Sequence, residues 1–588
     1  MQKLPNEQIR DQVTAAAKSA MDAARPIYDS WAKNIQQYRL EYPWKAWKKL
    51  DHQSKIPLSK VSTKVRYASN SFKRALTENK SEWFVLKAMT PEGEAVIKYM
   101  RKIVDDILDR EKFPRTLKKA LKLGLLCSGP VGRVVPLLGK GEAPYRGYCS
   151  VEAVDPRSWI RDPSGRNRFG IEIRVEDYSD LEERAADYGY DLEELEKLKG
   201  GGSWSANHPN YDAMKQAAAM ADLTSVFDAL ARPIVLMDYW GPLWDSQKQR
   251  VSKFANVTIA NGFSTLRVKD DPYGDGKGTV VYGDIEEELS SPYGKSFVAD
   301  MIPLFEAQTR LFNLGMDAIA EATFTAGAVN VDVLENRSDL SEGKTPGMLL
   351  AVHGNPHEVY AKMESGEVAQ TWFPMFNTLD KEIQVSSLVP EGAVMGAPDQ
   401  NATQSKTLGE FQYKSQSANS VLRDTAIELE DNFLEPLIQR LCDFVGRYVS
   451  LQDPAVLKLL TKELGPDAQN PQALRMIEQA LREPLVVRVR GVSAFMQSQE
   501  ELQNAMAVLH AANGMAPGIV DSEKAARRIV SLANLDPDDY LFTKEEAAQH
   551  QQEQAQQQQQ QMAMAQQQAA QQQQGQMLQS AMAGGGTQ

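Results

Sequence analysis

The fold of this chain is organised around residues 291–448, whose first helix, predicted at 296–324, contains the sequence IPLFEAQTRLFNLGMDAIAEATF at 302–324. Apolar side chains recur there at alternating spacings of three and four residues, which is typical of one helix face. They are Leu304, Ala307, Leu311, Leu314 and Ala318. A second apolar stripe consists of Phe305, Phe312, Met316 and Ile319. A helix that is apolar on two sides needs neighbours on two sides. One neighbour can come from the same chain, and the other can come from a neighbouring subunit.

The residues after this helix predict a small β insert and then more helices. Residues 326–334 and 347–352 have the composition of short strands that flank a polar turn. A second helix is predicted from about Glu367, and its apolar face consists of Trp372, Phe376, Leu379 and Ile383. A loop rich in glycine and proline follows, and it leads into a long helix that Pro436 is expected to kink.

Five short segments mark this order of elements along the chain. They are Ser291-Pro292-Tyr293-Gly294-Lys295-Ser296, Ile302-Pro303-Leu304, Arg310-Leu311, Leu388-Val389-Pro390-Glu391-Gly392 and Leu434-Glu435-Pro436-Leu437-Ile438. In order and local pattern, over about residues 110–545, the chain resembles the portal (head-to-tail connector) proteins of tailed bacteriophages. No single motif in it is diagnostic of that family.

The resemblance implies an α+β, mainly helical fold with wing, stem, clip and crown regions that assembles into a ring. The expected regions are an N-terminal helical and α+β wing at 1–295, a first stem helix at 296–324, a clip at 325–365, a second stem helix at 366–389, a tunnel loop at 390–404, a long kinked wing helix at 405–450, a C-terminal wing or crown at 451–548, and a glutamine-rich tail at 549–588 that is either mobile or a helical barrel extension.

The resemblance also implies a function and a set of partners. Such a ring, usually a homo-oligomer of twelve subunits, occupies one capsid vertex of the virion after assembly in the host cytoplasm. Double-stranded DNA passes through its channel during packaging and ejection. The clip docks the terminase and later the head-tail adaptor proteins, and capsid and scaffolding proteins surround the ring. No membrane is involved.

The two expected stem helices carry more acidic than basic residues, and the whole chain has a net charge of −12. A channel that passes DNA must not hold it, and an acidic wall repels phosphates. The candidates for lining the channel are Asp300, Glu306, Asp317, Glu321, Glu367, Asp380 and Glu382. The alternative is that these residues only form the solvated faces of helices.

Two further sets of candidate residues lie in loops. The tunnel loop contains small residues and glycines but no Lys or Arg, so we expect it to touch DNA sterically rather than to grip phosphates. Its candidates are Glu391, Val394, Met395, Asp399, Gln400 and Asn401. The polar turn of the clip offers docking candidates, which are Asn336, Arg337, Asp339, Glu342 and Lys344.

Composition narrows the class of protein further. The chain has 588 residues, which predicts several domains, and only three cysteines, which suits a reducing cytoplasm without a disulfide framework. No run of 18 apolar residues predicts a membrane span, and the N-terminus lacks the apolar segment of a signal peptide. The aromatic and lysine residues of 41–49 can meet nucleic acid, but we favour a structural role in which Trp44 and Trp47 anchor a helix and the lysines stay in solvent.

Catalytic chemistry is not expected from the sequence. Gly294-Lys295-Ser296 resembles the end of a P-loop, but Leu289 stands where that motif needs its first glycine. We find no catalytic set and expect no cofactor and no metal site, so the chain is not expected to be an enzyme. The alternative function is a non-enzymatic cytoplasmic helical scaffold with a glutamine-rich interaction tail. A nucleotide-dependent DNA motor is disfavoured by the missing motifs.

Overall fold

The computed structural model describes most of the chain between Pro5 and Val489. Inside that range it leaves undescribed residues 51–52, 79–82, 138–143, 200–214, 217, 246–248, 290, 324–326, 331, 333–352, 354, 356–359, 363–371 and 388–424. The chain divides into two compact units, and every described residue belongs to the first, Met1–Val492. This unit is a mixed α+β structure, which confirms the predicted fold class at that level.

Helices provide most of the regular structure in the described ranges. They are α1 (Asn6–Tyr38), α2 (Lys60–Glu78), α3 (Pro91–Arg110), α4 (Phe113–Leu126), α5 (Tyr178–Tyr188), α6 (Leu192–Glu196), α7 (Thr224–Ala229), α8 (Ile302–Thr323), α9 (Trp372–Ser387), α10 (Glu435–Tyr448), α11 (Pro454–Leu464) and α12 (Pro471–Ala480).

The strands form four antiparallel sheets within the same ranges. The strands are β1 (Phe84–Ala88), β2 (Val131–Pro136), β3 (Cys149–Val154), β4 (Trp159–Arg161), β5 (Gly170–Asp177), β6 (Pro233–Trp244), β7 (Arg250–Ala260), β8 (Ser264–Asp270), β9 (Val280–Tyr282), β10 (Gly327–Val329), β11 (Tyr360–Lys362) and β12 (Leu485–Val489). Their orders are β4-β5-β6-β7-β8, β3-β2-β9, β1-β12 and β10-β11.

The five-stranded sheet is a meander, as the sequence predicts for residues 131–285. Because side chains alternate along a strand, one face of this sheet is continuously apolar. Helix α1 covers that face, and Ile9 and Val13 pack there with Met237 and Val257. The other face is divided. One half packs under α5 and α6, and the other half carries charged and polar side chains.

Proline is expected to break or kink a helix, and three prolines of this chain differ in their effect. Lys112 adopts a left-handed conformation (φ 51°) between α3 and α4, so the predicted break before Pro114 is confirmed. Pro26, expected to kink or divide the first helix, lies inside an uninterrupted α1. Before Pro436 the chain forms a π-helical turn, Glu430–Leu434, in the place where the sequence predicts a kink. Such a turn is one recognised way for a helix to accommodate an irregularity.

The clip region differs in part from its prediction. Gly327–Val329 lies within the predicted first strand, but it pairs with Tyr360–Lys362 of the same chain. The predicted second strand, 347–352, lies outside the described residues. The sequence missed 360–362 because a strand of three residues is too short to show alternation.

Candidate subunit interface on the helical hairpin

Helices α8 and α9 form an antiparallel hairpin. Trp372 at the start of α9 contacts Leu311 and Gly315 of α8, whereas Asp380 further along α9 bonds to the earlier residue Gln308. Both helices lie where the sequence predicts them, although α8 starts at Ile302 rather than after Ser296. The intervening residues 297–301 form turns instead, with Pro303 in the first turn of α8.

Trp372 fixes the register of this hairpin. Its indole Nε1 donates a hydrogen bond to the carbonyl oxygen of Leu311 at 2.8 Å. The ring then lies directly on Gly315, where an added β-carbon would be 2.2 Å from the indole. Phe312 and Phe376 make the next contact, with ring centroids 6.1 Å apart. Residue 315 must therefore be glycine because the Trp372 ring lies too close for a side chain. The backbone conformation does not require it.

One side of α8 is polar and yet fully buried. Gln308, Thr309 and Asn313 are each 0% exposed. A buried polar group is costly unless it is hydrogen-bonded, so each needs a partner. Asn313 finds it in a segment we call the strap, residues 42–50 and 53–58. Its Oδ1 accepts the Ile56 N–H at 2.7 Å and its Nδ2 donates to the Ile56 carbonyl at 2.9 Å.

Two ion pairs extend this attachment. Lys49 Nζ lies 2.5 Å from Asp317 Oδ2, and the Ser54 N–H donates to the other oxygen of Asp317 at 2.6 Å. Lys60 at the start of α2 pairs with Asp380, which also accepts from Gln308 at 3.0 Å. Burial raises the pKa of Asp317, but the hydrogen bonds from Lys49 and Ser54 outweigh it, so its pKa lies below the ordinary value.

The aromatic residues of the strap pack on one another. Tyr42, Trp44 and Trp47 form a cluster with ring centroids 5.3–5.7 Å apart, and the Arg310 guanidinium stacks 4.4 Å from the Trp47 ring centroid. These residues anchor the strap on α8, as expected for a structural role. They form turns rather than the expected helix, and Lys49 is buried in its ion pair rather than in solvent.

The opposite side of α8 is apolar and exposed. Leu314 is 57% exposed, and Leu304, Leu311 and Ala318 of the same predicted stripe are only partly buried. On α9, Phe373 is 62% and Met375 is 55% exposed. The other predicted stripe is different, because Phe305 is buried and Phe312 packs on Phe376. Helix α8 thus has one side attached to its own chain and one apolar side facing outward, and α9 carries exposed apolar side chains of its own.

The Ser-Pro-Tyr-Gly-Lys-Ser segment joins the hairpin to the body of the unit. The Tyr293 hydroxyl accepts the Arg161 N–H at 3.0 Å, and its ring packs edge-on against Trp31 of α1. The Ser296 hydroxyl bonds to the carbonyls of Leu125 and Leu126 at 3.1 Å each. A β-carbon on Gly294 would lie 2.5 Å from the Glu286 carbonyl oxygen. The segment that resembles a P-loop is a packed structural joint.

The structure separates the acidic candidates from one another. Asp317 and Asp380 are neutralised inside the chain by lysines, and Asp300 pairs with Lys295 at 2.6 Å. Glu306 accepts a hydrogen bond from Gln37 at 2.9 Å. Glu382 is exposed. The environments of the Glu321 and Glu367 side chains lie outside the described residues. Asp317 and Asp380 are thus engaged within their own chain, and the lining of a channel by these candidates stays a prediction.

The structure does not describe the candidate residues of the tunnel loop and of the clip. The tunnel-loop residues Glu391, Val394, Met395, Asp399, Gln400 and Asn401 all lie outside the described residues, and so do the clip candidates Asn336, Arg337, Asp339, Glu342 and Lys344. The glutamine-rich tail lies outside them as well.

Neither a membrane-spanning helix nor a metal site occurs in the part of the chain that the structure describes. No helix there is long and apolar enough to cross a membrane, and no group of three metal-ligating side chains is close enough to hold an ion. The three cysteines, Cys127, Cys149 and Cys442, are buried and unbonded to one another. No protein-family model matches the chain, and no curated protein matches it.

Proposed function

We propose that this protein is the subunit of a phage portal ring, through which double-stranded DNA enters and leaves a capsid at one vertex. The observation that carries the proposal is the asymmetry of α8. Its polar side is held by the strap of the same chain, and its apolar side is exposed. An exposed apolar helix face of this kind is typical of an interaction site. A second copy of the same hairpin is a partner of matching length and character.

A contact between the exposed side of one hairpin and a different side of the next is heterologous. Such contacts close into a ring when the rotation between subunits allows it. In the proposed ring the hairpins form the stem around the channel, residues 325–365 form the clip that docks terminase and adaptors, and residues 390–404 form the tunnel loop. Glu382 is the acidic candidate best suited to face DNA, because its exposed carboxylate lies on the outer surface of the hairpin.

The experiment changes the exposed stripe and measures the mass of the assembled particle. Leu314→Asp puts a carboxylate into the proposed interface, where burial of a charge costs several kcal/mol. We expect the variant to remain folded and to lose the high-mass ring. Leu192→Asp is the matched control, because Leu192 is 60% exposed on a helix away from the hairpin. Rings that persist in Leu314→Asp, or are lost equally in Leu192→Asp, would contradict the proposal.

A further inference from the structure

A cavity of about 560 Å³ lies over the polar half of the five-stranded sheet. The three-stranded sheet closes it from one side through Arg133, Glu152 and Thr279, and α5 contributes to its rim. Because β-strand side chains alternate, the floor is built from residues two apart on adjacent strands. These floor residues are Glu172, Arg174, Asp238, Trp240, Asn256, Arg267 and Lys269.

Some of the cations in the cavity form ion pairs with carboxylates, and others do not. Arg133 pairs with Glu152 and Glu172, and Arg174 pairs with Glu176 and Asp238. Arg267 and Lys269, neighbours on one face of β8, have no carboxylate within ion-pair distance among the described residues. The other titratable groups that line the cavity are Glu183, Arg184 and Asp187 on α5, Tyr188, Tyr273 and Tyr448.

The end of α5 accounts for part of the placement of Arg267 and Lys269. Arg267 donates one N–H to the Tyr188 carbonyl at 3.1 Å, and Lys269 Nζ lies against Gly189, which ends the helix. Cations at a helix C-terminus are favourable. In that role Arg267 uses one of its N–H donors, and Lys269 makes no hydrogen bond. Burial, and secondly the charge of Arg267, lower the pKa of Lys269.

Three buried polar atoms at this site also lack hydrogen-bond partners within the described part of the chain. Arg267 Nε and Trp240 Nε1 are buried donors without an acceptor, and Asn256 Oδ1 is a buried acceptor without a donor. Asn256 is 0% exposed and stands beside Trp240 on one side and Lys269 on the other, in direct cross-strand register. With the Lys269 ammonium, the cavity offers three donors and one acceptor to a single guest. Buried groups of this kind are normally satisfied, so a ligand or ordered water is expected among them.

We propose that this cavity binds a phosphate-type anion between Arg267 and Lys269. The anionic oxygens accept from Arg267 Nε, Lys269 Nζ and Trp240 Nε1, and the P–OH of hydrogen phosphate donates to Asn256 Oδ1. A carboxylate has no proton to donate at neutral pH, so it leaves Asn256 unsatisfied. The cavity is also large enough for a phosphorylated alcohol. This proposal does not depend on ring formation.

The test uses the full-length protein and inorganic phosphate as the probe. Calorimetric titration with phosphate should give saturable binding, and phosphate should raise the unfolding temperature relative to sodium chloride of equal ionic strength. Lys269→Met and Arg267→Gln should each weaken binding at least tenfold. Lys253→Met is the matched control and should bind normally, because Lys253 is exposed on the adjacent strand β7.

Because both cations also stabilise the end of α5, each variant is first checked for native circular dichroism. Lys269→Arg then provides rescue, since it keeps the charge and should bind phosphate within a few-fold of the wild-type protein. Absence of saturable binding to the wild-type protein would overturn the proposal. So would equal stabilisation by acetate, or equal weakening in Lys253→Met.

Discussion

Asn313 carries the clearest single-residue consequence of this structure. Its carboxamide satisfies both the N–H and the carbonyl of Ile56, 257 residues earlier in the chain. Asn313→Ala removes both hydrogen bonds to Ile56, and a hydrogen bond of this kind contributes about 0.5–1.5 kcal/mol. We expect a loss of about 2 kcal/mol in the free energy of unfolding, measured by urea denaturation. Asn377→Ala on the exposed surface of α9 is the control, and an equal loss there would disprove the assignment.

Asp317 makes the strap sensitive to acid. Its pKa in the folded protein lies below the ordinary value, so the ion pair with Lys49 stabilises the fold above the ordinary pKa of about 3.9. That stabilisation is lost as the pH falls through the lowered pKa. Asp317→Asn should therefore be less stable than wild type by a constant amount between about pH 5 and 7, and the difference should shrink below about pH 4. Urea midpoints across this range measure it. A difference that stays unchanged down to pH 3 would contradict the ion-pair account.

Residue-scale features were the hardest to predict from the sequence. In the sequence Asp317 is a candidate for lining the channel, and nothing there singles out Asn313. Their partners lie more than 250 residues away, so no local pattern contains them. The aromatic residues of 42–47 were correctly expected to be structural, because aromatic side chains cluster readily. No pattern in the sequence indicates that they pack on α8.

At the scale of elements, the register of the hairpin depends on one close contact. Gly315→Ala places a methyl group where the Trp372 ring lies, and overpacking of this kind costs about 1–3 kcal/mol. An ordinary Gly→Ala change within a helix would instead be stabilising by about 0.5–1 kcal/mol. We therefore expect a double-mutant cycle in urea denaturation to be strongly non-additive, with Gly315→Ala tolerated once Trp372→Leu is present. Additive free energies would show that the two residues do not share this contact.

The elements themselves followed well from periodicity. The helices α8 and α9 occur where their spacing predicts them, because each is long and strongly patterned. The short strand β11 and the π-helical turn before Pro436 did not follow. The first is too short to show alternation, and the second depends on how the surrounding helix adapts to the proline.

At the scale of the whole molecule, contacts within one chain cover one side of α8 and leave the other side exposed. The two apolar stripes predict two neighbours, and the chain itself supplies one of them. A leucine or phenylalanine that passes from exposed to buried contributes about 1.5–3 kcal/mol. Leu314, which is 57% exposed, therefore favours association when a neighbouring subunit covers it. The sequence predicted this division of α8 into two sides because periodicity reports amphipathic faces. It did not reveal which stripe stays exposed.

Electron microscopy of the purified full-length protein tests the central claim most directly. The account predicts a closed ring with a central channel, in which α8 and α9 line the stem and the stripe containing Leu314 lies between adjacent subunits. Class averages give the number of subunits, and the reconstructed density shows which surface is covered. A monomer, an open filament, or a ring in which Leu314 and Phe373 remain exposed to solvent would contradict the account.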